Sequence, residues 1–373
     1  MLIHGIQSRL VGANKIVSGY IDDFELWYQI PRQYGSDKFA DPFVAAALMV
    51  AMKSGETLQV EKSTPVSFKL LQGISQLLDL YSAWYPDLVR ISIEAEIAPT
   101  GSQQEGYATF FSGGVDSLYT YFQKRELITH LIYIEGIDIQ LDNQSLREEV
   151  LHSNTKFAEE QGVALIPVAS NIRDFCHPRG LSWGSRYSGS GLGSVALLLG
   201  FPYTLVPASQ SFVSLYPEGT SPLLDHLYSN EVTSIYYDGA LPRPVKMRFL
   251  ATIPGSIDRL RVCWQDNGYN CGKCEKCLRT MLILKMLDLQ CPTLPELENL
   301  SRLKGWRIES DAQKRIVTSL IEEAERSNKW DIYNFLVRIW RREKMKRWLT
   351  EFDRKYCAGV LKSISNKLTG RPE

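Results

Sequence analysis

The sequence has no long uninterrupted apolar stretch. Its most apolar run, Val195–Pro207, is broken by Gly200 and Pro202 and is too short to cross a bilayer as a helix. It has no excess charge of one sign. The 42 Lys and Arg residues balance 42 Asp and Glu, so nothing draws the whole chain toward nucleic acid or an anionic membrane. The opening stretch, MLIHGIQSRLVGANK, lacks the apolar core of a secretory signal, and a cytoplasmic location without membrane partners is expected. There is no Walker GxxxxGK[ST] motif, no internal repeat and no long low-complexity tract. Nor do the 7 cysteines form an even, dispersed set: Cys263, Cys271, Cys274 and Cys277 crowd together, while Cys176, Cys291 and Cys357 stand alone. That distribution argues against a secreted disulfide framework and for a metal site.

What is present is an ordinary globular composition, 44% hydrophobic and 23% charged, over 373 residues, enough for more than one unit. Residues 1–100 read as a small mixed α+β domain, with strands at Phe24–Ile30, Leu58–Val60 and Val89–Ala98 and helices at Pro42–Met52 and Ser67–Leu80. The polar stretch Pro99–Gly106 reads as a linker. From Tyr107 the pattern alternates. Strands are expected at 107–111, 130–135, 163–168, 203–207 and 233–237. Helices are expected at 116–124, 142–161 and 191–200. This rhythm predicts an α/β, doubly wound parallel sheet over 106–290, carrying a cysteine knuckle at 263–277. Residues 291–373 read as a helical, basic C-terminal region, with helices at 311–325, 330–341 and 344–361 after one at 276–286.

The sharpest local pattern is Phe110-Phe111-Ser112-Gly113-Gly114-Val115-Asp116-Ser117, between an apolar strand and an amphipathic helix. At that point successive backbone N–H groups converge at the positive end of the helix, a ready anion site. Gly113 and Gly114 let the backbone approach an anion, Ser112 and Ser117 offer hydroxyls, and Asp116 suits a magnesium ion bridging phosphates. The plain alternative is a Gly-Gly turn with Asp116 or Ser117 as an ordinary helix cap. The cysteines, spaced C-x7-C-x2-C-x2-C, suit a closed tetrahedral Zn2+ site; a redox pair and an iron–sulfur cluster use the same ligands.

SGGVDS resembles the SGGxDS loop of the PP-loop ATP pyrophosphatases. Joined to CGKCEKC at Cys271–Cys277, it is similar to the 7-cyano-7-deazaguanine synthases of queuosine-precursor synthesis. The resemblance covers about residues 107–290 and implies a PP-loop (HUP-like) fold. It also implies ATP, Mg2+ and Zn2+ as ligands, with Ser112, Gly113, Gly114, Val115, Asp116 and Ser117 around the pyrophosphate end of the nucleotide. Lys246, after a proline-rich turn, and Arg186, in a glycine-serine stretch, stand where the family has catalytic or nucleotide-binding groups. For each the alternative is a surface cation. Tyr216-Pro217-Glu218 stands near the family's YPD segment, but its run then continues Gly-Thr rather than Cys-Arg, and a histidine-bearing segment after the second strand is absent. The implied activity is an AMP-forming ligase that adenylates a deazaguanine-type or related carboxylate and forms an amide or nitrile with ammonia or an amine. A tRNA-thiolation enzyme, with Cys176 as the only cysteine candidate, and a non-catalytic nucleotide-binding regulator are the alternatives.

From Arg338 to Glu373, 11 Lys and Arg face 4 Asp and Glu, with Trp340 and Trp348 interleaved. Such a surface fits tRNA or an acidic protein partner, or simply a solvated helix face packed through its tryptophans. The N-terminal region carries no chemical motif; a macromolecular substrate or a homodimer interface are its expected roles.

Overall fold

The computed structural model describes residues 1–99, 104–303, 305–308 and 310–356. Part of the expected linker, the end of the last expected helix, Cys357 and the rest of the basic tail lie outside these residues. The fold is α/β, built on a ten-stranded, mostly parallel sheet. Two compact units are present: Met1–Cys277 with Cys291–Leu294, and Leu278–Gln290 with the residues from Pro295 onward.

In the first unit the chain opens with three antiparallel strands, β1 (Leu2–Val11), β2 (Asn14–Ile21) and β3 (Phe24–Pro31). Two-residue turns join them, and the first residue of each, Gly12 (φ 59°) and Asp22 (φ 51°), takes the left-handed conformation that Gly and Asp tolerate best. α1 (Asp41–Ser54) follows. Its run PFVAAALMVAM has no polar face, so Asp41–Met52 is buried throughout. β4 (Leu58–Val60), α2 (Phe68–Trp84) and β5 (Ile93–Glu94) complete this part. The expected strand at 89–98 is thus shorter than its alternation suggested, and β1 and β2 were not anticipated.

The alternating half runs β6 (Tyr107–Phe110), α3 (Val115–Gln123), β7 (Ile128–Glu135), α4 (Gln144–Gln161), β8 (Ala164–Ser170), α5 (Ile172–Cys176), α6 (Ser188–Leu199), β9 (Tyr203–Pro207), β10 (Ser234–Asp238) and α7 (Arg243–Leu250). The sheet order is β10-β9-β6-β7-β8-β3-β2-β1-β4-β5. Pairing is parallel from β10 to β8, antiparallel from β8 to β1, and parallel again to β5. From β6 the chain first builds outward through β7 and β8, then returns to the other side of β6 as β9. The carboxyl end of β6 is therefore a topological switch point, where open α/β sheets leave a crevice for ligands.

The expected domain limit near residue 100 does not divide this unit. β3 pairs with β8, and Asn171 fixes the junction by accepting the Trp27 N–H at Oδ1 (3.0 Å) and donating to the Glu25 carbonyl (2.8 Å). One hydrophobic core runs from Ile3 to Ile235 across the two halves. Tyr187 donates to the Ala46 carbonyl (2.6 Å) and Ser194 to that of Pro42 (2.6 Å), fastening α6 to α1. Asp41 accepts from the Ser67 N–H and the Asn230 amide, both at 2.8 Å.

The chain enters the second unit along α8 (Glu275–Met286) and continues through α9 (Asp311–Arg326) and α10 (Trp330–Tyr356). α9 starts on a capping box, Ser310 with Gln313. α10 is one helix where two were expected. Its half-buried Trp340 packs on Ile308, Val317 and Ile339, whereas Trp348 is exposed and stacks on Phe352. Several of its cations are engaged within the unit. Arg342 and Lys346 bond Glu343, and Arg347 donates to the Ile308 carbonyl.

Candidate functional site

The loop Ser112–Gly114 leaves the carboxyl end of β6 at the switch point and feeds directly into α3. Gly113 has φ 72°, a backbone conformation that L side chains resist, and a Cβ there would meet Asn154 Oδ1 at 3.2 Å. The turn is closed by its serines: the Ser112 N–H donates to Ser117 Oγ (3.3 Å), which donates to the Gly114 carbonyl (3.1 Å). Gly114, at the head of α3, supplies no side-chain cap, so the helix end offers its N–H groups outward. Ser112 is exposed. Val115 and Ser117 are buried, so what Val115 offers at this turn is its backbone N–H.

Asp116 lies in the first turn of α3 with its side chain 21% exposed. One of its oxygens accepts from Arg243 Nε (3.0 Å) and Nη2 (2.7 Å), and the other from Lys246 Nζ (2.7 Å). Arg243 and Lys246 sit three apart on α7, hence on one helix face. Lys246 is 0% exposed and also donates to the Ala208 carbonyl just beyond β9 (2.6 Å). The loop, the end of β9 and α7 thus meet around one carboxylate.

Burial alone would raise the Asp116 pKa, but Arg243 and Lys246 overcome that and hold the carboxyl below the usual range. Burial lowers the Lys246 pKa, with Asp116 opposing, while Asp116 keeps Arg243 charged against its own burial. Glu218 also favours the charged form of Arg243 and is itself held by Ser209 (2.7 Å) and Gln210 (2.9 Å). Tyr216-Pro217-Glu218 therefore belongs to this neighbourhood.

The expected residues separate accordingly. Asp116 and Lys246 are brought together with the loop; Arg186 is not. It pairs with Asp87 (2.7 and 3.0 Å) and lies over the Tyr85 ring at 4.6 Å. Asp116 is not an open ligand either, because both its oxygens already bond cations. The donors present do not make a ready magnesium site; such an ion would come with a nucleotide's phosphates. Among the described residues, the cysteines are the sole group of three or more side chains of metal-ligating type gathered for an ion. Cys176 is fully buried and burial pushes its thiol up to about 12, so it carries no thiolate for sulfur transfer. Glu231 accepts the Lys69 N–H at the start of α2, and Asp225 accepts the Ser221 N–H while burial lifts its carboxyl to about 8.

Three residues near the loop were not read from the sequence. Arg243 could have been, since it follows Pro242 and shares a helix face with Lys246. Arg261 and Asn154 could not, because only the fold brings them to Gly113.

The four knuckle cysteines are free, and their sulfurs all lie within 4.8 Å of one another, with Cys263–Cys274 and Cys271–Cys277 each at 3.9 Å. Tetrahedral zinc with bonds of about 2.3 Å requires sulfurs about 3.8 Å apart, so the set can hold a metal ion such as zinc. Backbone N–H groups support the sulfurs: Gln265 donates to Cys263 (3.3 Å), Lys273 (3.4 Å) and Cys274 (3.2 Å) to Cys271, and Cys277 to Cys274 (3.5 Å). Asn270 braces the incoming segment, accepting from the N–H groups of Val262 (2.9 Å) and Cys263 (3.2 Å) and donating to the Leu260 carbonyl (2.8 Å). The segment so braced reaches the glycine loop, where the Arg261 N–H donates to the Gly113 carbonyl at 2.9 Å. Comparison with known proteins gives no match to a family model, to a curated protein or to a solved structure.

Proposed function

We propose that this chain is an ATP-dependent, AMP-forming carbon–nitrogen ligase of PP-loop type, which adenylates a carboxylate and joins it to ammonia or an amine. The observation that carries the reading is the pair of cations, Lys246 and Arg243, gathered by Asp116 against an uncapped glycine loop at the switch point of the sheet.

In this reaction a carboxylate oxygen attacks the α phosphorus of ATP. The bond from that phosphorus to the bridging oxygen breaks, and its electron pair leaves with pyrophosphate. The amine nitrogen then attacks the acyl carbon, AMP departs with the second electron pair, and the nitrogen loses a proton. This chain's contribution is positional and electrostatic. The loop N–H groups and Ser112 receive the phosphate tail, and Lys246 and Arg243 offset the charge that accumulates on the departing oxygens. Asp116 keeps both cations charged and aimed. Zinc, when bound by the four cysteines, supplies a closed structural joint without an open coordination position. The deazaguanine-type acids are the first acceptors to test, because the knuckle and loop are most similar to that synthase family. The inert Cys176 weighs against thiolation.

The test is product analysis on the zinc-loaded chain with ATP, a panel of carboxylates that includes deazaguanine acids, and ammonia. Stoichiometric AMP and pyrophosphate are expected with at least one acceptor. ADP with orthophosphate, or no turnover with any acceptor, would overturn the proposal.

A further inference from the structure

Against the same glycine loop lies a second arginine in a different condition. Arg261 is buried, its side chain 3% exposed. Among the described residues its Nε and Nη2 have no hydrogen-bond partner, and its Nη1 lies 3.9 Å from the Asp138 carboxylate. These two unpartnered nitrogens form one edge of the guanidinium, two parallel N–H groups that match the oxygen pair of a carboxylate or phosphate. At two other arginines the same edge is filled. Arg243 places it on Asp116 and Arg147 places it on Glu135.

The position of this open edge is fixed from several directions. The Arg261 N–H is bonded to the Gly113 carbonyl, and a Cβ on Gly114 would meet the Arg261 carbonyl at 3.3 Å. Asp138 follows the carboxyl end of β7, and the phenols of Tyr133 and Tyr269 are near enough to feel the guanidinium charge. Asn154, on the buried face of α4, sits against Gly113 with its amide nitrogen also unpartnered. A buried cation and a buried amide, both incomplete and both against the same glycine, are costly to fold unless a ligand completes them. The donors present are N–H groups alone, which selects an oxyanion.

We propose that Arg261 and Asn154 form a second oxyanion seat, separate from Lys246 and Arg243, that grips the pyrophosphate end of the nucleotide. The assignment rests on the ligase reading above. Pyrophosphate is favoured over the acceptor's carboxylate because both residues lie against the glycine loop, Arg261 through its backbone N–H on the Gly113 carbonyl and Asn154 through its Oδ1 beside Gly113. Arg261 is here a binding residue whose fork closes on departing oxygens, and the seat would hold them after the α-phosphate bond breaks.

The experiment is calorimetric titration of the zinc-loaded chain with inorganic pyrophosphate, orthophosphate, AMP and acetate. Arg261→Lys keeps the charge and removes the fork; pyrophosphate affinity should fall about tenfold or more, with AMP and acetate binding unmoved. Asn154→Leu replaces an unpartnered amide by an apolar side chain of similar size. It should leave melting temperature and zinc content intact or improved and still weaken pyrophosphate several-fold, a combination that a merely structural role would not give. If Arg261→Lys loses zinc or melts early, Asn154→Leu decides alone. Weakening confined to acetate would assign the seat to the acceptor and overturn the proposal, as would unchanged pyrophosphate affinity in both variants. Those results leave the ligase reading intact if wild-type protein still releases AMP and pyrophosphate. A wild-type chain that binds neither ATP nor pyrophosphate removes both.

Discussion

The two charged groups beside the glycine loop are built on opposite principles. On the α7 side, two cations and one carboxylate saturate each other: Asp116 accepts three hydrogen bonds, and Lys246 adds a fourth contact to Ala208. On the knuckle side, Arg261 and Asn154 are more deeply buried than Asp116 and Arg243, yet keep donors without partners among the described residues. A saturated cluster is finished when the chain folds and serves to shape a field. An unsaturated one is finished only when something arrives. The contrast teaches that burial of charge alone does not mark a binding group; the state of its hydrogen bonds does.

The largest blow to the contrast should come from the metal. Structural zinc contributes about 10–16 kcal/mol in small peptide knuckles, so chelation or Cys274→Ala should unfold residues 263–277 and release the segment that carries Arg261. Limited proteolysis is expected to cut there first, with pyrophosphate affinity lost while Asp116, Lys246 and Arg243 stay engaged. A chelated protein with unchanged proteolysis and affinity would show that the knuckle has no bearing on the loop.

Next is Asp116→Ala, which leaves Lys246 buried with its main partner gone. The expected cost is about 3–5 kcal/mol in urea denaturation. Adding Lys246→Met should recover much of it, and a purely additive double mutant would refute the coupling. The same cluster has an acid signature. A carboxyl held below its unfolded pKa contributes stability that is complete above about pH 4 and is lost as pH falls through the folded value. The stability gap between wild type and Asp116→Asn should therefore close in acid; a constant gap contradicts the ion cluster.

Asp225 should behave with the opposite sign. Its carboxyl is raised to about 8 by burial, so it costs stability increasingly as pH rises from about 4 toward 8. Asp225→Asn is expected to stabilise by about 1–3 kcal/mol at pH 9 and to match wild type at pH 4, read from melting curves. The smallest effect belongs to Arg186→Ala. Its partner Asp87 is 42% exposed, so stability should shift by no more than about 1 kcal/mol and nucleotide affinity should not move. A large loss of ATP affinity would place Arg186 in the site after all.

How legible these features were depended on sequence distance. SGGVDS and the CGKCEKC run are contiguous, so their turns and spacing could be read directly, and the alternating strands and helices from 107 onward gave the α/β class. Arg261 and Asn154 are 107 positions apart in the chain and come to Gly113 only because α4 and the segment leading into the knuckle both pack there. Arg186 misled because a glycine-serine stretch resembles a nucleotide loop, while its true partners, Asp87 and Tyr85, belong to the region that follows α2. The polar stretch at 99–106 suggested a domain boundary because composition reports solvation, not strand pairing. β1 escaped notice because its apolar residues do not alternate cleanly.

The β3–β8 junction has a consequence for biosynthesis. Gln29 finds its partner Ala169 about 140 residues later, so the opening strands leave the ribosome long before their neighbour exists. At about 5–20 residues per second this is a wait of roughly 7–28 seconds with a strand edge unmatched. The first hundred residues are accordingly not a head piece that matures early. They must be kept from pairing elsewhere, and a nascent chain halted before residue 170 should be recovered with chaperones rather than as folded protein.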